Sequence, residues 1–137
     1  MKDAPTRKAV VLGWFLLAVS LPLGMTLEAL HALKVPVYLG SPIRRELWTL
    51  AHAHGNLLGI LCLVFGALGE RTVPDERARG SVSRWLRIGS GAMPAGFFVG
   101  GILSSEGDPS LGVLLVPLGG VCLLYALVRA GLAARRA

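Results

Sequence analysis

The residues of this chain that could do chemistry are few, and they lie where hydrocarbon should begin. All three histidines, His31, His52 and His54, sit at the ends of long apolar runs. Glu28 precedes His31 by one helical turn, so the two share a face. Asn56 follows His52 by four residues. A polar group in lipid is costly unless it finds a partner. An ionisable residue within an apolar span is therefore a functional-site hypothesis by default.

Neutral imidazole binds haem iron and transition metals. On that chemistry His54, His52 and His31 are candidate haem ligands. His31, His52 and His54 with Glu28 are a candidate set for a copper, zinc or iron ion. Asn56, Glu106 and Asp108 are candidate supporting polar groups. Glu28 and His31 also have the Glu-x-x-His spacing of carboxylate-bridged di-iron bundles, but those need a second such motif and two more glutamates, and the chain has one motif. Two other readings use the same residues. The histidines could serve only as hydrogen-bonded helix ends in a structural subunit or assembly factor, with Glu28 paired to His31, Arg44 or Arg45. Glu and His at depth also build proton relays and small transporters. No Cys-x-x-Cys, P-loop, Gly-x-Ser-x-Gly or nucleophile–base pair is present, so catalysis is not indicated.

The elements that must position these groups follow from composition. The 137 residues are 53% hydrophobic and 16% charged, against about 25% charged in soluble domains. Mean hydropathy is +0.62. One all-α integral membrane domain is expected, with spans at about 9–33, 47–68, 84–104 and 111–132. The apolar part of the first run exceeds a signal h-region, and no convincing cleavage site follows, so it is read as a retained helix. Pro22 should bend it. Lys34–Glu46 reads as a loop in which Ser41 and Pro42 form an N-cap arrangement. Trp48 fits an interfacial anchor, and Trp14, Trp85 and Tyr125 an aromatic belt. His52, Asn56, Gly59, Leu63 and Gly66 make one stripe, and Gly89, Met93, Gly96 and Gly100 another. Both suit close helix packing in a bilayer. His52 and His54 lie about 200° apart on their helix. Cys62 and Cys122 read as small apolar residues within spans.

The net charge of +6 lies between the spans and at the termini, which sets topology rather than making a nucleic-acid face. Eleven of the fourteen Lys and Arg fall on one side and three, Lys34, Arg44 and Arg45, on the other. That predicts an up-down-up-down four-helix bundle with both termini cytoplasmic, multi-pass in a bacterial inner membrane. Every histidine, with Glu28, Ser104, Ser105, Glu106 and Asp108, then sorts to the outer layer. The expected partners are the lipid bilayer and a second copy of the chain or a larger respiratory-type complex, not nucleic acid.

The segment Trp48-Thr49-Leu50-Ala51-His52-Ala53-His54-Gly55-Asn56-Leu57-Leu58-Gly59 resembles the second helix of haem–copper oxidase catalytic subunits, where a histidine near the outer face, often followed by glycine, holds the low-spin haem. It is also similar to the Trp-His-Ala-His segment of NnrS-type haem and copper membrane proteins. The resemblance implies that His54, before Gly55, is a haem b ligand and that His52 is its accessory. It implies a role in electron transfer or as an accessory to a respiratory or nitric-oxide-related system. The oxidases' later helices, second haem ligand and copper histidines have no counterpart in this chain. A second axial ligand would be His31 or a histidine of a second copy.

Overall fold

The computed structural model describes residues 3–104 and 108–135. Its helices are α1 (Ala4–Ala32), α2 (Pro36–Leu39), α3 (Pro42–Thr72), α4 (Glu76–Ile102) and α5 (Leu115–Ala134), the last entered through a 3-10 turn, Leu111–Leu114. The three longest helices start on side-chain caps. Asp3, Ser41 and Asp75 accept from the backbone N–H of Thr6, Arg44 and Ala78 respectively, and Pro5 and Pro42 occupy first turns, where no N–H is needed. These caps carry the helices beyond the apolar spans. Thus α3 begins at Pro42 rather than near Leu47, and α4 at Glu76 rather than Arg84. After α1, Lys34 adopts a left-handed φ of 52°, and the segment expected as a loop coils into α2.

Three of the helical stretches, Ala4–Ala32, Pro42–Thr72 and Leu111–Ala134, are long and apolar enough to cross a membrane. Only 22%, 39% and 17% of their apolar windows are buried inside the fold. The rest of that surface, including Val11, Phe15 and Met25 on α1 and Leu118, Val121 and Leu124 on α5, is far too extensive for a water-facing monomer and matches lipid. The first half of α4 carries Glu76, Arg77, Arg79, Arg84 and Arg87, leaving only 88–102 free of charge.

Successive long helices pack antiparallel. The most extensive pairs are α1 with α3 and α4 with α5, and α3 joins the two pairs through α4. Glycines set the close approaches. On the α1–α3 seam, a Cβ on Gly13 would stand 2.8 Å from the Gly59 carbonyl oxygen, and one on Gly55 would collide with Ser20. Both glycine stripes expected from the sequence face partners, the first α1 and the second mainly α5. The core between them holds Leu58, Cys62, Phe65, Val82, Leu86 and Leu123. Cys62 is a buried thiol, its sulfur 3.5 Å from Ser90 Oγ. Among the described residues α1 and α5 do not meet.

One end of the bundle is pinned by Arg79. Its guanidinium donates to the Asp3 carboxylate, to the Val73 carbonyl at 2.6 Å and to the Pro74 carbonyl at 2.8 Å. Ser83 Oγ donates to the Pro5 carbonyl at 2.7 Å. Burial pushes the Asp3 carboxyl pKa up, but hydrogen bonds from Thr6 and Arg79 and the Arg79 charge outweigh it and hold the carboxyl below its usual range. A depressed folded-state pKa contributes stability above the unfolded value, near about 4, and that contribution is lost as pH falls through the folded value. The unfolding midpoint in detergent should therefore drop as pH falls below about 4. Asp3→Asn should be less stable at neutral pH and show a shallower acid slope. An unchanged slope in Asp3→Asn would mean that this carboxylate is not part of the acid response.

Candidate functional site

The C-terminal half of α1, the short α2 and the first turns of α3 meet at the end of the bundle opposite Arg79. His52 leaves α3 toward α1. Its ring lies over Gly24, where a Cβ would collide with it. His52 Nδ1 stands 2.8 Å from the Ser20 carbonyl oxygen. A carbonyl only accepts, so Nδ1 carries the proton and Nε2 the lone pair. The Asn56 side-chain nitrogen, one turn on, lies 3.3 Å from that Nε2 and 3.4 Å from Nδ1, and only Nε2 has a lone pair left to accept from it.

His54 leaves α3 toward α4. Its Nδ1 donates to the Leu50 carbonyl of its own helix at 2.8 Å. Its ring is tilted against Phe97, with centroids 4.9 Å apart. The two histidines thus face different helices, as a rotation of about 200° requires.

Glu28 is exposed and lines a groove of about 530 Å³ with His52, Leu21, Met25, Tyr38 and Thr49. His31 is also exposed and lines an adjoining hollow of about 390 Å³ with Tyr38, Arg45, Glu46 and Thr49. Tyr38 and Thr49 belong to both. One corner at this end therefore gathers Glu28, His31 and His52 and leaves out His54. Asn56 supports His52 through its hydrogen bond. Asp108 is exposed in the turn before the 3-10 segment, and Glu106 lies outside the described residues.

The four-ligand metal set expected from the sequence is not assembled. Among the described residues no group of three His, Cys, Asp or Glu stands close enough to hold a metal ion. Helical rotation separates His52 from His54, and both rings are held by carbonyls. Glu28 and His31 lie on the exposed side of α1.

Tyr38, Thr49 and Glu46 are lining residues that sequence reasoning missed, and Arg45, expected only as a partner for Glu28, lines the hollow beside His31. Tyr38 reaches the corner because α2 folds it back, buried, against α3. It stacks on Trp48 at 6.2 Å, which stacks on Phe98 of α4 at 5.7 Å. Trp48 Nε1 donates to the Phe98 carbonyl at 3.2 Å, and the Arg44 guanidinium lies 5.8 Å from a Trp48 ring centroid. Arg44 also donates to the Gly101 carbonyl at 3.1 Å and to the Val37 carbonyl at 2.6 Å. Trp48 therefore ties three helices together, beyond the lipid-anchor role expected for it. The Arg44–Trp48 spacing of one turn was the available signal.

Chemically, the groove offers the Glu28 carboxylate, the Tyr38 phenol, the Thr49 hydroxyl and the His52 imidazole beside Leu21, Met25 and Leu27, and the adjoining hollow adds His31, Arg45 and Glu46. Such a lining suits a flat or amphipathic ligand with a polar edge. Compared with known protein families, characterised proteins and solved structures, the chain has no match.

Proposed function

We propose that this chain is a four-span integral membrane bundle of α1, α3, α4 and α5, with both termini cytoplasmic in a bacterial inner membrane, that binds haem b or a transition metal at its outer corner. The carrying observation is that Glu28 and His52 line one groove whose neighbouring hollow contains His31. The orientation rests on the eleven-to-three partition of Lys and Arg. In α4 the long side chains of Arg84 and Arg87 reach toward the interface, which lets the remaining apolar segment cross.

Haem b suits the geometry better than a bare ion. A protein-held zinc or copper ion usually takes three or more side chains, whereas haem iron is held by one or two axial ligands. In both His52 and His54, Nδ1 donates to a carbonyl, the hydrogen bond that presents Nε2 to a metal. The bound group would serve electron transfer or a respiratory or nitric-oxide-related accessory role. A structural-subunit reading has its own support: both ring nitrogens of His52 are occupied, by Ser20 and Asn56.

Absorption spectra of the oxidised and reduced detergent-purified protein, with metal analysis, separate these readings. The expected result is a Soret band with sharp reduced bands, lost in His52→Ala and kept in His54→Ala. The reverse pattern would move the site to the α4-facing histidine that the oxidase resemblance favours. A colourless, metal-free protein in which His52→Ala lowers stability by about 1–3 kcal/mol would establish the structural reading instead.

A further inference from the structure

At the opposite end of the bundle a second set of charged residues is unexplained by this site. The N-terminal turns of α1 and α4 lie side by side, held by the Arg79–Asp3 pair and the Ser83–Pro5 hydrogen bond. Two cavities run along their shared face. The polar one, about 470 Å³, includes Lys8, Arg77, Ser81, Arg84 and Arg87. The apolar one, about 450 Å³, is lined by Val11, Leu12 and Phe15 together with Arg7, Lys8 and Arg87. Lys8 and Arg87 belong to both, so the polar cavity continues into the apolar one.

Among the described residues no aspartate or glutamate lines either cavity. Asp3, the nearest acid on α1, is committed to Arg79 and Thr6. The described lining therefore supplies cations and no carboxylate to neutralise them. The Arg87 Nε is buried and has no hydrogen-bond partner among the described residues. A desolvated donor of this kind is costly unless an acceptor reaches it. Arg77, Arg84 and Arg87 follow one face of α4, so the charge descends from the helix start toward the apolar segment. Val11 and Phe15, at the far end, are 65% and 62% exposed, open to the surrounding hydrocarbon.

We infer that this groove binds an anionic phospholipid, with its phosphate between Lys8, Arg84 and Arg87 and one acyl chain along Val11, Leu12 and Phe15. Arginine suits the phosphate because its planar donors match two oxygens at once. Basic pockets between membrane helices are established sites for such headgroups. A free phosphate ion would fill only the polar cavity. The apolar continuation, and the chain's place in a bilayer, favour the lipid.

The test uses the full chain in nanodiscs of phosphatidylcholine containing a minority of phosphatidylglycerol, followed by native mass spectrometry of the released protein. The expected result is one retained phosphatidylglycerol, preferred over phosphatidylcholine by about tenfold or more, as two or three phosphate-facing cations would give. In Lys8→Gln/Arg84→Gln/Arg87→Gln the preference should fall to nearly none. It should persist in Arg71→Gln/Arg129→Gln/Arg135→Gln, which loses the same charge elsewhere. Circular dichroism on both variants checks that the helices remain. Equal loss in the two variants would overturn the proposal, since it would report only net charge. Retention of both lipids alike would also overturn it, and so would displacement of the lipid by millimolar inorganic phosphate.

Discussion

Replacing Arg79 with methionine should destabilise the protein by about 3–5 kcal/mol, the range for removing one partner of a buried ion pair. The pair lies in that regime because the side chains are only 10% and 15% exposed. The loss is compound. Asp3 would keep its charge without its partner, and the carbonyls of Val73 and Pro74 would lose a charged donor. Methionine keeps the packing volume, which isolates the electrostatic part. Titration of the unfolded fraction in mixed micelles checks it, with Asp3→Asn and the double variant completing a cycle. A coupling of about 1–3 kcal/mol is expected between directly bonded residues. A single-variant loss below about 1 kcal/mol would place the pair with ordinary surface ion pairs.

Gly89→Ala should cost about 1–3 kcal/mol, the usual penalty for overpacking. A Cβ at that position would stand 2.7 Å from the Gly119 carbonyl oxygen and 2.6 Å from Leu123 Cγ. The oxygen belongs to the backbone of α5 and cannot rotate aside, so the helices must separate. In a bilayer that separation removes the van der Waals contact that holds helices together. Gly91, two residues on, has no atom within 4 Å of its would-be Cβ. Gly91→Ala should therefore be neutral or stabilising by up to about 1 kcal/mol, from helix propensity. The same micelle titration compares the two. Equal effects would show that the α4–α5 seam is loose enough to absorb a methyl group.

Three of the four expected spans coincide with helical stretches long and apolar enough to cross a membrane, because a helix that is apolar around most of its circumference reads as one long hydrophobic run; the fourth falls in α4, whose first half is charged. What hydropathy misses is the polar extension of each helix. Asp75 and Ser41 cap well outside the apolar windows, so α3 and α4 start early. The angular separation of His52 and His54 follows from helical geometry alone, and the structure turns them toward α1 and α4. The packing roles of the glycine stripes were visible from spacing. Their partners were not, since pairing depends on which helix approaches which. The groove around Glu28 needed tertiary information. Tyr38 enters it only because Lys34 reverses the chain and α2 coils in a segment whose prolines and glycine suggested a loop. That no three of the candidate ligands group together among the described residues has the same origin. Residues that a topology reading assigns to one depth can still point in different directions.

Because α1 and α5 do not touch among the described residues, the bundle is not a closed ring: α1, α3 and α4 all meet one another, and α5 lies mainly against α4. Mechanical load applied at the C-terminal end would thus act first on the glycine seam between α4 and α5. The last helix could peel away as a separate step, leaving α1, α3 and α4 clamped by Arg79. The same order in reverse describes assembly: three helices locked by an ion pair make a platform, and the final helix docks onto one side of it. A membrane-inserted intermediate lacking only α5 is the outcome this connectivity predicts, and a chain truncated after α4 that keeps its helicity in detergent would bear it out.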